Sequence, residues 1–199
     1  MTIYDLKPRF QALLRPFTTW LWHRSVTANM VTLAAMLASV AYGVWMLLAP
    51  STLPYLLLPL FMLARMALNA VDGMLAREHG QQSKLGAVLN EVGDVVADAA
   101  LLVPFATLSG VSAHLVYALV YLATLTEFIG VLGQTTGAGR RYDGPSGKSD
   151  RAFAFGLLGL LIGAGVPVLP YLNPVLIVML ALLALTCWNR ARRAAAGAA

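Results

Sequence analysis

Charged residues are scarce in this sequence: Asp, Glu, Lys and Arg make up 12% of its 199 residues, whereas hydrophobic residues make up 59%. Soluble domains carry about 25% charged residues, because their surfaces must be solvated. The shortage of charge excludes a soluble enzyme, a disordered chain and a coiled coil, and it indicates a polytopic membrane protein. The apolar runs are long and unbroken rather than alternating, which argues against a transmembrane β-barrel.

Side chains that bind soft metals are also few. The single cysteine, Cys187, excludes a disulfide framework and a cysteine-based metal site, and we expect it to pack as a small residue in an apolar run. The three histidines, His23, His79 and His114, lie in different regions of the sequence and indicate no shared site.

Six apolar segments predict six membrane-spanning helices, which fit this chain length at about 20 residues a span. They cover about 27–49, 55–77, 84–108, 113–135, 151–168 and 174–189. The predicted fold is all-α, a single membrane domain over 1–199 with a six-span bundle at 26–190 and a basic cytoplasmic tail at 191–199.

The segment before the first span combines basic residues with apolar residues at helical spacing, among them Phe10, Leu13, Leu14 and Phe17. This pattern predicts an amphipathic helix over 1–25 that lies in the membrane interface and is kinked at Pro16. The alternative is a plain juxtamembrane tail.

All but one of the 14 basic residues fall in segments that the six-span arrangement places on the same side of the membrane. These segments precede span one, join spans two and three, join spans four and five, and follow span six. By the positive-inside rule, both termini and the 136–150 loop face the cytosol, as expected in a bacterial-type inner membrane. Anionic membrane lipids then account for the net charge of +5 without a nucleic-acid partner.

Charged and amide side chains inside the predicted spans are candidate functional residues, because charge within a membrane is costly. Asn69 and Asp72 share one face of the second span, while Asn90, Asp94 and Asp98 follow one another at four-residue spacing along the third. Such a cluster of oxygen ligands suits Mg²⁺, Mn²⁺ or Ca²⁺ rather than zinc. The alternative is a hydrogen-bonded network that holds two helices together.

Residues 69–94 read NAVDGMLAREHGQQSKLGAVLNEVGD and resemble the signature of the CDP-alcohol phosphatidyltransferase family, D-x2-D-G-x2-A-R-x8-G-x3-D-x3-D. Six of the eight fixed positions match at the family's spacing: Asp72, Gly73, Ala76, Arg77, Gly86 and Asp94. Asn69 and Asn90 replace the family's first and third aspartates. The stretch VTANMVTLAAML at 26–37 also resembles the start of the family's first span.

The resemblance implies transfer of a phosphoalcohol group, usually phosphatidyl, from a CDP-linked lipid to a small polar alcohol, with release of CMP. One or two divalent ions, Mg²⁺ or Mn²⁺, would clamp the donor pyrophosphate. The implied ligands are Asn69, Asp72, Asn90 and Asp94, with Asp98 as a further one, and Asp94 would also be the general base. The implied donor-binding residues are Gly73, Ala76, Arg77 and Gly86. Of these, Gly73 and Ala76 lack bulk, and Arg77 would reach the nucleotide phosphate.

The acceptor site is left to the remaining basic residues. Arg65 either binds the acceptor or forms an ion pair with Asp98 or Glu127. The loop residues Arg140, Arg141, Lys148 and Arg151 either grip a phosphorylated acceptor or only carry positive-inside charge. Several enzymes of the family have basic residues near the end of span four for a phosphorylated acceptor, whereas this chain has Glu127.

The two asparagines leave alternatives open, because they reduce the charge of the four ligand positions from −4 to −2. One alternative is a catalytically impaired relative or a non-enzymatic membrane protein, structural or a transporter. Another reverses the roles, with a CDP-amino-alcohol donor and diacylglycerol as acceptor. Gly159 and Gly163 form a G-x3-G pair that predicts close helix packing, within the chain or across a homodimer.

Overall fold

The computed structural model describes the backbone of residues 3–197 and the side chains of residues 10–197. Within that range the regular structure is entirely helical, which confirms the all-α prediction. Seven α-helices and one short 3-10 helix follow one another along the chain: α1 Ile3–His23, α2 Ala28–Leu48, α3 Leu53–Glu78, α4 Lys84–Leu102, the 3-10 helix Val103–Thr107, α5 Ala113–Thr135, α6 Lys148–Gly163 and α7 Leu169–Ala195.

Four helices are long and apolar enough to cross a membrane: α2, α3, α5 and α7. Among the other predicted spans, α4 carries four charged side chains in 19 residues, and α6 has only 16 residues. Length and composition therefore support four spans directly, and the count of six is not confirmed by them.

Two predicted boundaries were wrong at the C-terminal end. The sixth span was predicted to begin at about 174, but α7 begins at Leu169, because Pro170 falls in the first turn, where the helix needs no amide donor. The sixth span was predicted to end at about 189, but α7 continues to Ala195, since alanine and arginine are strong helix formers.

Helix α1 is fixed to the end of α3. The Arg15 guanidinium donates to both carboxylate oxygens of Glu78 at 2.9 and 3.0 Å, and the Trp22 ring stacks on His79 with ring centres 4.8 Å apart. Leu13 and Trp20 on the same helix are exposed, at 75% and 51%. A docked helix with an exposed apolar face has the character of a helix in a membrane interface.

The helices pack in pairs, α2 on α4, α3 on α6 and α5 on α7. Glycine permits the close approach in two of these pairs: a Cβ on Gly43 would overlap the backbone of Ala100, and a Cβ on Gly163 would overlap that of Leu56. The G-x3-G pair of α6 is thus used within the chain, so it gives no separate support for a homodimer.

The segment between α5 and α6 folds back onto the bundle. The Arg141 amide donates to Gly130 O at 2.9 Å, and the Thr136 hydroxyl donates to Ala194 O at 2.8 Å. Gly130 allows this approach, because a Cβ there would lie 2.8 Å from Arg141 O. The loop therefore has a fixed path, and it carries Arg140 and Lys148 to the side of α4.

Candidate active site

A cavity of about 1060 Å³ lies between α2, α3, α4 and the loop before α6. All eight signature positions line it: Asn69, Asp72, Gly73, Ala76, Arg77, Gly86, Asn90 and Asp94. They meet there because the first five lie near the end of α3 and the other three near the start of α4, and only five residues separate the two helices.

The metal-ligand candidates face one another across α3 and α4. The Thr32 hydroxyl of α2 donates to Asp72 Oδ2 at 2.8 Å, and the Asn69 amide donates to Asp94 Oδ1 at 3.4 Å. Asn90 lines the same cavity. Among the described residues, no group of three or more His, Cys, Asp or Glu side chains is placed to hold a metal.

The donor set nevertheless fits a hard divalent cation. Asp72 and Asp94 offer carboxylate oxygens, and Asn69 and Asn90 offer amide oxygens, the ligand types that Mg²⁺ and Mn²⁺ accept. Mg²⁺ sites commonly use one or two carboxylates and complete the shell with water and substrate phosphate. Two carboxylates therefore suffice for one ion, whereas a second would depend on the substrate's own oxygens.

Asp98, expected as a further ligand, lies outside this cavity. It accepts from Arg65 Nη1 and from Arg151 Nη2, both at 2.7 Å. Arg65 and Arg151 are only 4% and 2% exposed. Arg65 thus forms the ion pair with Asp98 and does not line the cavity. Arg151 is likewise buried and paired with Asp98.

Two of the basic loop residues reach the cavity, Arg140 and Lys148. Arg140 Nη1 forms an ion pair with Glu91 Oε1 at 2.6 Å, and Nη2 donates to Glu127 Oε2 at 3.1 Å, while the guanidinium lies 4.8 Å from the centre of the Tyr142 ring. Lys148 Nζ contacts Asp94 Oδ1. Each cation is already paired with a carboxylate.

Arg141 does not line the cavity. Its Nε donates to Asp143 Oδ2 at 2.9 Å, and Arg193 of α7 pairs with the other oxygen of Asp143. Burial by itself raises the pKa of Asp143, but the hydrogen bonds and positive charges of Arg141 and Arg193 outweigh it and lower that pKa. The three side chains fasten the loop to α7.

The two glycines of the signature let neighbouring side chains approach the helix backbone closely. A Cβ on Gly73 would lie 2.8 Å from Nη2 of Arg77, and one on Gly86 would lie 2.7 Å from Asn29 Oδ1. The Arg77 guanidinium thus lies directly over the Gly73 backbone, at the edge of the space that the signature surrounds.

Sequence reasoning missed Arg190 as a bundle residue. It was counted with the cytoplasmic charges after the last span, but it is 2% exposed and its Nη1 lies 3.5 Å from Glu127 Oε2. Glu127 could have indicated this role of Arg190, since a carboxylate inside a span needs a cation on a neighbouring helix. Asn29 and Thr32, which also line the cavity, lie in the 26–37 stretch that resembles the family.

The sequence profile described as CDP-alcohol phosphatidyltransferase matches residues 25–188. The inner membrane protein YnbA of Escherichia coli K12 is 52% identical over 162 residues, which cover 81% of each chain.

Two solved structures of the Mycobacterium tuberculosis phosphatidylinositol phosphate synthase PgsA1 share the fold. The complex with manganese and citrate has a TM-score of 0.73 and 21% identity, and the match covers 90% of this chain and 87% of that one. The structure with CDP-DAG bound has a TM-score of 0.68 and 22% identity, with coverages of 90% and 92%. With the family signature gathered around one cavity and its profile matched over most of the sequence, this chain belongs to the CDP-alcohol phosphatidyltransferase family.

Proposed function

We propose that this protein transfers a phosphatidyl group from CDP-diacylglycerol to the hydroxyl of a small polar alcohol and releases CMP, with Mg²⁺ or Mn²⁺ as cofactor. The observation that carries the proposal is that all eight signature positions line one cavity of about 1060 Å³. The similar fold of PgsA1, which has been crystallised with manganese and with CDP-DAG, supports the same donor and cofactor.

In this scheme the donor nucleotide lies against the ends of α3 and α4. Gly73 and Gly86 have no side chain that would compete with the cytidine for space, and Arg77 donates to its phosphate. When bound, a divalent ion offsets the negative charge of the pyrophosphate and of the departing CMP. Asp72 and Asp94, assisted by Asn69 and Asn90, are the residues that would hold it.

Asp94 takes the acceptor's proton. The acceptor oxygen forms a bond to the phosphorus that carries the lipid, the bond from that phosphorus to the CMP oxygen breaks, and the proton passes to the carboxylate. Lys148 and Asn69 both donate to Asp94 Oδ1 and so orient the carboxylate toward the cavity. A general base in position contributes about 10²–10⁴-fold to rate.

We also propose that α4 and α6 cross the membrane, which restores six spans with both termini and the cavity on the cytosolic side. Beyond Lys84 at its first residue, the exposed side chains along α4 are apolar, among them Val88, Val92 and Val96, while Asp98 is ion-paired inside the bundle. On α6 the exposed large side chains are also apolar, with Phe153 at 72%. The charges that lower the hydropathy of α4 therefore do not face lipid.

The test is release of CMP by purified protein from CDP-diacylglycerol with Mn²⁺ or Mg²⁺ and a panel of alcohols, with identification of the lipid product. Asp94→Asn should lose about 10²–10⁴-fold in rate, because it removes the base without changing the side-chain shape. Asp150→Asn, the same change at an exposed position at the start of α6, is the matched control and should keep full activity.

The outcomes separate the alternatives. No CMP release from wild-type protein with any alcohol would favour the catalytically impaired relative. Release with diacylglycerol and a CDP-amino-alcohol, but not with CDP-diacylglycerol, would favour the reversed roles. Full activity of Asp94→Asn would show that another group takes the proton.

A further inference from the structure

The loop side of the cavity carries basic residues, but their positive charges are paired with carboxylates. Arg140 and Lys148 are the basic side chains that reach the cavity from this side, and they contact Glu91, Glu127 and Asp94. The Arg140 side chain is 16% exposed and that of Glu127 is 9% exposed, so water screens this pair only weakly. A phosphate arriving at Arg140 would meet a cation that is already neutralised by two carboxylates.

Two arginines buried next to Glu127 are equally unable to bind a phosphate. Arg151 and Arg190 are each 2% exposed, and both lie within 3.5 Å of the Glu127 carboxylate. To bind a phosphate they would have to leave a buried carboxylate without its partners, which is strongly unfavourable. The other basic residues that line the cavity, Arg77 and Lys84, lie at the end of α3 and the start of α4, where the donor is proposed to bind.

Two atoms on this side are buried without a hydrogen-bond partner among the described residues, Glu91 Oε2 and Arg140 Nε. Both residues line the cavity, and the remaining atoms of the pair bind each other through Arg140 Nη1 and Glu91 Oε1 at 2.6 Å. Buried polar atoms in proteins almost always have a partner. One carboxylate oxygen that needs a donor and one N–H that needs an acceptor therefore remain in two residues that line the cavity.

A hydroxyl group satisfies both requirements, because it donates one hydrogen bond and accepts another. A phosphate oxygen only accepts, and the negative charge of Glu91 would repel it. Glu91 and Asp94 are three residues apart on α4 and therefore lie on the same face of the helix. An alcohol bound at Glu91 is thus held next to the proposed base.

We infer that Glu91 and Arg140 form the acceptor subsite and that it selects an uncharged alcohol with hydroxyl groups over a phosphorylated one. The inference rests on the proposed transferase function and names its acceptor class. It replaces the sequence-based hypothesis that Arg140, Arg141, Lys148 and Arg151 grip a phosphorylated acceptor, since all four are paired with carboxylates.

The experiment compares matched acceptors with CDP-diacylglycerol as donor: glycerol against glycerol 3-phosphate, and inositol against inositol phosphate. The expected result is a kcat/KM at least tenfold higher for the unphosphorylated member of each pair. A higher kcat/KM for the phosphorylated members would overturn the inference and leave the transferase function standing. Absence of CMP release with these four compounds and with the wider panel of alcohols would overturn the transferase function and the inference together.

The variant Glu91→Gln tests whether Glu91 binds the acceptor and sets the preference for an unphosphorylated one. The expected change is a rise of about tenfold or more in the acceptor KM, the size of a lost hydrogen bond to a charged group, with the KM for CDP-diacylglycerol unchanged. The preference for the unphosphorylated acceptor should shrink, because the amide no longer repels phosphate. Glu78→Gln is the matched control, since it also removes a glutamate paired with an arginine, but outside the cavity. An unchanged acceptor KM and preference in Glu91→Gln would remove Glu91 from the subsite, and the wild-type acceptor comparison holds even if that variant folds poorly.

Discussion

Replacing Gly163 by alanine should destabilise the protein, whereas the same change at Gly156 should not. Both glycines lie on the face of α6 that packs against α3. A Cβ on Gly163 would lie 2.5 Å from Leu56 Cβ and closer still to the backbone N and Cα of Leu56, whereas one on Gly156 would lie 3.4 Å from Pro59 Cα, an ordinary contact. Carbon atoms pack best at about 3.5–4.0 Å, so α6 must move by roughly an ångström at Gly163. The backbone of Leu56 cannot rotate away.

Overpacking of this kind costs about 1–3 kcal/mol, while alanine gains up to about 1 kcal/mol over glycine in helix propensity. Gly163→Ala should therefore lose about 1–2 kcal/mol in net stability, and Gly156→Ala should be neutral or gain up to about 1 kcal/mol. Thermal unfolding of both variants in one detergent, followed by tryptophan fluorescence, measures the difference. If Gly163→Ala proved as stable as Gly156→Ala, the α3–α6 contact would not be as close as described.

Two further predictions concern topology and pH. In a Cys187→Ser background, an impermeant thiol reagent should label Ser51→Cys in intact cells and Ser149→Cys only after permeabilisation. Both positions are exposed, so the reagent can reach them from its own side of the membrane. Labelling of Ser149→Cys alone in intact cells would show that the topology is inverted. The pKa of Asp143 is lowered in the folded state, so its contribution to stability is complete above its unfolded pKa of about 3.9 and is lost as the pH falls through the lower folded value. Asp143→Asn should therefore lower the unfolding temperature at pH 7 and match wild type under strongly acidic conditions; a difference that does not change with pH would contradict the ion pairs.

The sequence predicts the signature face of the site because spacing within a helix is local information. Asn90 and Asp94 differ by four residues, and Asn69 and Asp72 by three, so each pair shares a helix face whatever the tertiary fold. The resemblance to the family then brings the two faces together, and the structure places all these positions at one cavity.

Pairings between distant segments were not accessible in the same way. Arg140 and Glu91 are separated by most of α4, all of α5 and a loop, and Arg190 reaches Glu127 from another helix. Such contacts depend on how helices pack and on the path of the loop, which neither hydropathy nor helical period encodes. For the same reason, the basic residues of the 140–151 region were interpreted either as a grip on a phosphorylated acceptor or as positive-inside charge, and their carboxylate partners on other helices were not foreseen.

The ion pairs of α4 connect the fold to the acceptor. The four-residue period that directs Val88, Val92 and Val96 outward turns Asp94 and Asp98 inward. In the proposed membrane arrangement these carboxylates are tolerable only if cations meet them, and the cations that meet Asp94 and Asp98 come from α3 and α6. Under that proposal, Arg65 and Arg151 are held by Asp98 and are not available to bind phosphate. Because these basic side chains are paired with carboxylates of the same bundle, we expect the acceptor to bind through its hydroxyl groups and not through a phosphate of its own.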